Sequence, residues 1–328
     1  MKALVLEKPG SIDGLKIVYD RAIPEPKEDE IRVKVHAAAL NPSDYQVASH
    51  PDLPSDEKRV LGLDISGVVD AVGSKVLDFK VGDRVYYIRS ITNTNGGFAE
   101  YACTPAHTVS KLPSSIPFTT AAAVPGAGFT AYQAIIDKLR PQKGKTILIH
   151  GGAGGVGSYA IQLAKMSGLT VLTTCLGKDF EYVKSLGADK AIDFQNEDAH
   201  KRVLELTNNR GVDYVLNTVG SEIATKDIDI LAFGGELVVT AGFPDFNRLR
   251  FYEKGLSLHE IAFGAVFTEG DYYAQENISK IGYKFAQLIA DSKISSPKIT
   301  IIKLEDIPEY LYKLRDGQIS GKVIAHIK

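Results

Sequence analysis

The clearest chemistry in this chain belongs to three glycines with the spacing G-x-G-x-x-G. They are Gly152, Gly154 and Gly157. Residues 146–150 before them are apolar and β-branched, like a buried parallel strand, and apolar side chains recur at helical spacing from Val156 onward. In such a strand–turn–helix unit the backbone can approach a pyrophosphate, whose charge the N–H groups at the helix start stabilise. The pattern predicts a nucleotide site that includes Gly155 and Val156, rather than an ordinary glycine-rich turn.

The residues about twenty positions beyond the glycines indicate which nicotinamide coenzyme is bound. A site specific for NAD usually places a carboxylate there, where it accepts hydrogen bonds from the ribose hydroxyls. Residues 175–177 carry no acid here, Thr174 precedes them, and Lys178 follows them. A lysine attracts a 2′-phosphate that a carboxylate would repel. The sequence therefore predicts NADPH, held by Thr174 and Lys178; the alternative for Lys178 is a solvated lysine at a helix start.

Composition places the chain among ordinary globular proteins. The 328 residues suffice for two domains, and 44% hydrophobic with 24% charged residues is a usual balance. A formal net charge of -2 gives no basic surface for nucleic acid. No apolar run approaches the roughly 20 residues of a membrane helix, and two cysteines are too few for a disulfide framework. We expect a cytoplasmic protein without nucleic-acid or membrane partners.

The elements that position these residues form two patterns. Short strands broken by Gly, Pro and Asp fill about the first 120 residues, which indicates a β module, a partly open barrel. Beyond residues 118–123 strands and helices alternate, which predicts an α/β fold with a doubly wound parallel sheet. Strands are predicted at 146–150, 170–174, 190–193, 213–217, 236–240, 256–263, 299–303 and 322–327. Helices are predicted at 179–186, 198–207, 223–233, 278–292 and 307–316.

Short motifs run through the whole chain in a distinctive order. They are LNPSD (40–44), LGLDISGVVDAVG (61–73), FKVGDRVY (79–86), GGFAEY (96–101), AAAVPGAGFTAYQAI (121–135), GGAGGVG (151–157), SLGAD (185–189), NTVG (217–220) and GKV (321–323). In this order they resemble the medium-chain dehydrogenase/reductase superfamily, and within it the zinc-independent quinone oxidoreductase-like group related to zeta-crystallin. The resemblance implies a GroES-like β domain at 1–122, a Rossmann NADPH-binding domain at 123–264, and a C-terminal return to the first domain at 265–328.

The same resemblance shows where metal ligands are missing. Alcohol dehydrogenases of the superfamily hold a catalytic zinc through cysteine and histidine side chains. Those positions align with Asn41, Leu63 and residues 126–127 of this chain, and none of these is Cys or His. Asp64 stands where the family often carries an acid, but one carboxylate does not make a metal site. The resemblance implies no bound metal and an electron-poor hydride acceptor, either a quinone or an α,β-unsaturated carbonyl.

Three residues near the lost zinc position are candidates for catalysis by resemblance. Asn41 is expected to reach the nicotinamide ribose or the substrate carbonyl, or else to be a turn residue before Pro42. Tyr45 is the best aromatic donor nearby, since it can stack on a quinone and donate to its oxygen. His50 is a proton donor or, as the alternative, an exposed loop histidine.

The resemblance also assigns further coenzyme contacts. Thr130 is expected against the nicotinamide, with a helix-start hydroxyl as the alternative. Lys322 is expected either to reach a cofactor phosphate or to be a plain surface lysine. Other positions follow predicted strands, where such sheets bind their ligands. These are Asn217, Val219, Ala241, Gly242, Phe243 and Phe263.

Three functions are compatible with these residues. The first is a metal-free, NADPH-dependent reductase of a small-molecule quinone, enone or enal. The second is a metal-dependent alcohol or aldehyde reductase with the same fold. The third is a protein that binds NADPH without turnover, because a fold alone does not establish catalysis. The resemblance also implies a homodimer, paired through the predicted strand at 256–263.

Overall fold

The chain folds into two compact units in the computed structural model, which describes residues 1–53, 58–91, 94–249, 253–268 and 270–328. The first unit combines Met1–Phe129 with Gly264–Lys328, and the second is Thr130–Phe263. The division therefore falls after Phe129, whereas the sequence predicts it after residue 122. The last 65 residues belong with the first unit.

Most side chains are buried in the longer strands of both units. In chain order the strands are β1 (Ala3–Leu6), β2 (Leu15–Val18), β3 (Glu30–Ala39), β4 (Arg59–Val60), β5 (Asp64–Val72), β6 (Arg84–Ile88), β7 (Tyr101–Pro105), β8 (Ser110–Lys111), β9 (Thr146–Ile149), β10 (Thr170–Cys175), β11 (Lys190–Asp193), β12 (Val212–Asn217), β13 (Leu231–Val239), β14 (Ser257–Glu260), β15 (Ile299–Lys303) and β16 (Lys322–His326).

Helices connect and cover these strands. They are α1 (Pro42–Ala48), α2 (Phe118–Ala122), α3 (Thr130–Tyr132), α4 (Gly155–Met166), α5 (Phe180–Ser185), α6 (Ala199–Leu206), α7 (Ser221–Ile230), α8 (Phe263–Thr268), α9 (Tyr272–Ala290) and α10 (Ile307–Arg315). Pro125–Phe129 and Gln133–Leu139 on either side of α3 are π-helical. Within the described ranges, no helix combines the length and apolar character that crossing a bilayer requires.

Two sheets form the first unit, and their strands are antiparallel except for the parallel pair β15 and β16. One sheet has the order β2-β1-β4, and the other runs β15-β16-β3-β5-β6-β8, with β7 also paired to β3. Strand β16 lies antiparallel to the end of β3, so that Ile324 pairs with Ala39. This register brings the beginning of β16 next to the loop that leads into α1. Two segments almost three hundred residues apart therefore meet at one place.

The second unit contains the predicted doubly wound sheet. Its order is β11-β10-β9-β12-β13-β14, and every neighbouring pair is parallel. The first strand, β9, lies in the middle, as in dinucleotide-binding sheets that wind in opposite directions from a central strand. The switch point is therefore between β9 and β12. Strand β14 lies at one edge, and pairing of two copies through it stays a prediction.

The largest differences at the end of a predicted element concern one helix and one strand. The helix expected over 223–233 stops at Ile230, because Leu231 already pairs with Val212 of β12. The strand expected over 256–263 stops at Glu260, and Phe263 begins α8 instead. Short apolar runs fit either a helix or a strand, and the pairing with a neighbouring strand decides between them.

Candidate functional site

The glycine turn leaves β9 and enters α4 with very little space around it. Gly151 has φ +69°, a left-handed conformation that favours glycine. A Cβ at Gly152 would lie 2.0 Å from the hydroxyl oxygen of Thr173, and one at Gly157 would lie 2.2 Å from the carbonyl oxygen of Gly151. A side chain at Gly157 would push α4 away from the turn, and one at Gly152 would collide with Thr173 on β10.

The beginning of α4 fits a pyrophosphate. Gly154 is the N-cap residue and supplies no side-chain cap, so the N–H groups of Gly155, Val156 and Gly157 have no acceptor inside the helix. These groups and the helix dipole favour an anion at this place. The turn follows the carboxyl end of β9, at the switch point of the sheet, where such folds bind dinucleotides. The observed cradle therefore suits a dinucleotide coenzyme.

A buried hydrogen-bond network holds this turn from the inside. The Gly151 N–H donates to Thr174 Oγ1 over 3.1 Å, and Thr174 Oγ1 lies 3.2 Å from His150 Nδ1. His150 Nε2 lies 2.8 Å from Asp227 Oδ1, and His200 Nε2 lies 2.9 Å from the same oxygen. The consistent assignment has both Nε2–H groups donating to the carboxylate, while Thr174 donates to His150 Nδ1.

Asn217 extends the network into the loop after β12. Its Nδ2 donates to Asp227 Oδ2 over 2.8 Å, and its Oδ1 accepts the N–H groups of Val219 and Gly220 at 2.9 and 3.0 Å. Asn217 is fully buried. Both ends of the amide are used inside the protein, so the side chain shapes the loop after β12.

Two predicted coenzyme contacts are corrected by this network. Asn217 is expected beside the adenosine or ribose, but its amide is buried. Thr174 is expected beside the 2′-phosphate, but its hydroxyl is buried and already bonded to Gly151 and His150. Both residues instead position the loops at the carboxyl ends of β9 and β12. Sequence reasoning missed His150, His200 and Asp227 altogether.

The charge of Asp227 is stabilised by its donors. Burial alone would raise the pKa of this carboxyl, but the hydrogen bonds from His150, His200 and Asn217, together with the charge interaction with His150, outweigh burial and lower the pKa. The possible ligand atoms of these three residues lie within 4.8 Å of one another, close enough to hold a metal ion. Contacts of 2.8 and 2.9 Å are, however, ordinary N–H···O distances, and they satisfy the group without an ion.

The remaining predicted coenzyme residues divide by exposure. Lys178 is exposed in the turn Gly177–Asp179 directly after β10, and its ammonium has no partner among the described residues. Thr130 is half-buried, and Phe263 is buried at the start of α8. The others are exposed beyond the ends of β12 and β13, and their roles stay predictions. They are Val219, Ala241, Gly242 and Phe243.

In the first unit, Asn41 is fixed at the beginning of α1. Its backbone N–H donates to Asp44 Oδ2 over 2.8 Å, and Asp44 Oδ1 accepts the Gly62 N–H at 3.1 Å. Burial raises the pKa of Asp44 to about 7, although these two N–H groups act in the opposite direction. The prediction of a turn residue before Pro42 matches the N-cap position of Asn41. Its predicted contact with a ligand stays open.

Lys322 lies against Asn41 inside the first unit. Its Nζ donates to Leu40 O at 3.0 Å, to Asn41 Oδ1 at 2.8 Å and to Asp64 Oδ2 at 3.2 Å. The interpretation as a surface lysine is wrong, since only 6% of the residue is exposed. The three N–H donors are all used, which leaves none for a cofactor phosphate and corrects that prediction too.

The cluster formed by Asn41, Asp64 and Lys322 does not fit a catalytic zinc of the alcohol dehydrogenase type. The positions aligned with the zinc ligands, Asn41, Leu63 and Gly126, supply neither thiolate nor imidazole. Asp64 Oδ1 accepts the Gly126 N–H at 2.7 Å, and its other oxygen pairs with the ammonium of Lys322. A buried cation of the protein itself thus neutralises the carboxylate.

The other two catalytic candidates differ in their surroundings. Tyr45 lies on α1, half-buried and packed against the core of the first unit. His50 is exposed just after α1, and its Nδ1 accepts the Asp52 N–H at 3.3 Å. Neither residue is joined by a described hydrogen bond to the group around Lys322. Their catalytic roles stay predictions.

Comparison with known proteins agrees with this architecture. Residues 27–114 match the alcohol dehydrogenase GroES-like domain, and residues 155–279 match the zinc-binding dehydrogenase family. The chain is 33% identical over 245 residues to the quinone oxidoreductase of Homo sapiens, covering 73% of this chain and 72% of that protein. It is 38% identical over 252 residues to 2-methylene-furan-3-one reductase of Solanum lycopersicum, covering 74% and 62%.

One solved structure is similar to this chain over all of its residues. The quinone oxidoreductase of Coxiella burnetii superposes with a TM-score of 0.85 at 30% identity, over 100% of this chain and 99% of that one. The fold, the order of the motifs and these relatives lead to the same assignment. The chain belongs to the medium-chain dehydrogenase/reductase superfamily, within its quinone oxidoreductase-like group related to zeta-crystallin.

Proposed function

We propose that this chain is an oxidoreductase that transfers a hydride from NADPH to a quinone or to an α,β-unsaturated carbonyl compound. The observation that carries the proposal is the complete glycine cradle at the switch point of the parallel sheet. The names of the relatives, a quinone oxidoreductase and a furanone reductase, support these two acceptor classes. The absence of thiolate and imidazole ligands around Asn41 supports an acceptor that needs no metal for activation.

The chain's own residues bind and orient the reactants in this mechanism. When bound, the reduced nicotinamide would supply the hydride to an electron-poor atom of the acceptor. Gly155 and Val156, directly after Gly154, would hold the pyrophosphate through the backbone N–H groups at the start of α4, and the network around Asp227 keeps their turn in place. Fixing the reactants in one geometry lowers the barrier, because a reaction between two bound partners no longer depends on their meeting in solution.

A panel assay tests the function. We expect NADPH absorbance to fall in the presence of quinones, enals or enones, with a metal chelator present and the protein shown to be free of zinc by elemental analysis. No turnover of any acceptor would contradict the proposal. Tight NADPH binding without oxidation would instead indicate a binding protein, and stoichiometric zinc with loss of activity in chelator would indicate a metal-dependent alcohol or aldehyde reductase.

Two charged groups near the end of β10 bear on the preference for NADPH: the ammonium of Lys178 supports it, and the carboxylate of Asp193 opposes it. The free ammonium of Lys178 after β10 favours a 2′-phosphate. Asp193, at the end of β11, places a carboxylate oxygen 2.8 Å from where a Cβ of Gly177 would lie. That carboxylate already accepts from the N–H of Gln195 and the side chain of Asn196. We therefore assign the 2′-phosphate to Lys178.

Lys178→Glu is expected to lower the preference for NADPH over NADH by about tenfold or more, equivalent to ~1.4 kcal/mol. The physical reason is that a phosphate dianion would meet a carboxylate in place of an ammonium. Titration of both coenzymes against the two proteins measures the ratio. Lys190→Glu is the matched control, because this exposed lysine lies at the opposite end of neighbouring β11. An unchanged ratio in Lys178→Glu would assign the phosphate to another group.

A further inference from the structure

We propose that Lys322 is a positioning residue that fixes the direction of the Asn41 side-chain amide, so that Asn41 donates an N–H to the oxygen of the hydride acceptor. The inference rests on the proposed function, because it names which group stabilises the charge formed in that reaction. Its basis is the contact of Lys322 Nζ with Asn41 Oδ1 at 2.8 Å. Lys322 itself touches no reacting atom.

The ammonium determines which end of the amide faces it. A lysine ammonium has three donors and no acceptor, so an oxygen must face each of its N–H groups. The three oxygens come from Leu40, Asn41 and Asp64, at 3.0, 2.8 and 3.2 Å. The amide of Asn41 therefore turns its carbonyl toward Lys322 and its NH2 group away. A reversed amide would place two donors against each other.

Asn41 has little freedom to leave this position. Its backbone N–H is held by Asp44, while Asp64 holds the ammonium on the other side. A Cβ at Gly126 would lie 2.8 Å from Asn41 Oδ1 and 2.9 Å from both oxygens of Asp64. The glycine backbone thus closes over the two side chains, and its N–H is bonded to Asp64.

The NH2 group of Asn41 remains the weakly bonded end. Its contact with Ala39 O is 3.4 Å long, beyond the usual range of a good N–H···O bond. About 9% of the residue is exposed. A cation at the carbonyl oxygen also polarises the amide and makes its N–H a stronger donor, as in other connected hydrogen bonds. This donor is available to an oxygen of an incoming ligand.

The side-chain N–H of Asn41 is suited to stabilise the negative charge that the reaction creates on the acceptor. When a hydride adds to the β-carbon of an enone, the new C–H bond forms, the C=C π pair shifts to join the α-carbon to the carbonyl carbon, and the C=O π pair moves onto the oxygen. The same displacement in a quinone leaves the charge on one of its two carbonyl oxygens. A fixed N–H at that oxygen stabilises the charge as it develops, and a proton from water completes the reduction.

Three variants test the positioning role. Lys322→Met is expected to lower kcat at least tenfold while the dissociation constant of NADPH stays within twofold, and Lys322→Arg is expected to recover most of the loss. Asn41→Asp keeps an oxygen toward the ammonium but, when ionised, has no donor, so its kcat should fall as far. Lys16→Met, an exposed lysine on β2, is the control.

The outcomes separate this inference from the proposed function. A normal kcat in Lys322→Met, or an equal loss of NADPH affinity, would overturn the positioning role. Should Lys322→Met unfold, Asp64→Asn combined with Lys322→Met removes both buried charges and must show the same loss of kcat. The side-chain amide resonance of Asn41 should move in Lys322→Met without any substrate, and an unmoved resonance contradicts the inference. Wild-type protein inactive on every acceptor would overturn the proposed function alone.

Discussion

Gly157→Ala is expected to weaken coenzyme binding strongly and to destabilise the second unit. The new Cβ would lie 2.2 Å from Gly151 O and 2.7 Å from Gly152 Cα, both of which belong to the backbone of the cradle. Helix α4 must move away from β9 to accept it, and overpacking of this kind costs about 1–3 kcal/mol. We expect the dissociation constant of NADPH to rise by about 100-fold or more, equivalent to ~2.7 kcal/mol. Calorimetric titration and thermal unfolding measure the two effects.

Gly264→Ala is the matched control for this substitution. Gly264 lies within the short helix α8, has no positive φ, and has no atom within 4 Å of an added Cβ. Alanine there should leave coenzyme affinity unchanged and slightly favour the helix. Should Gly157→Ala bind NADPH as tightly as wild type, the close approach of helix and strand would not be what forms the site.

The fold was predictable from the sequence because its strongest signals are local. The spacing of Gly152, Gly154 and Gly157 between a strand and a helix places the cradle without any long-range information. Alternation of strands and helices gives the parallel sheet, since right-handed crossovers leave few other arrangements. The predicted strand at 190–193 coincides with β11, and the one at 299–303 coincides with β15.

The supporting polar groups were not predictable in the same way. His150 and Asp227 are 77 residues apart, and Lys322 and Asn41 are 281 residues apart. No local spacing connects such pairs, and only the topology of the sheets brings them together. A lysine is almost always exposed, so its burial depends on partners that the sequence does not reveal. Thr174 and Asn217 were placed correctly at strand ends, but the sequence cannot say which way their side chains turn.

Asp227→Asn is expected to lower the free energy of unfolding by about 3 kcal/mol or more, because it leaves buried donors without their charged acceptor. The new amide has one oxygen for the two imidazole N–H groups of His150 and His200. Its NH2 group would face Asn217 Nδ2, which is also a donor. Asn217 cannot turn over, since its Oδ1 accepts the N–H groups of the following loop. Chemical denaturation measures the loss, and NADPH titration should show weaker binding.

The pH dependence gives the same prediction an independent test. A carboxyl whose pKa is lowered by folding contributes stability above its unfolded pKa, and that contribution disappears as the pH falls through the folded value. Wild-type protein should therefore lose more stability below about pH 4 than Asp227→Asn does. Asp229→Asn is the control, since this residue lies on the same helix with 71% of its side chain exposed. Equal acid sensitivity in wild type and Asp227→Asn would mean that the buried carboxylate does not hold the coenzyme turn through its charge.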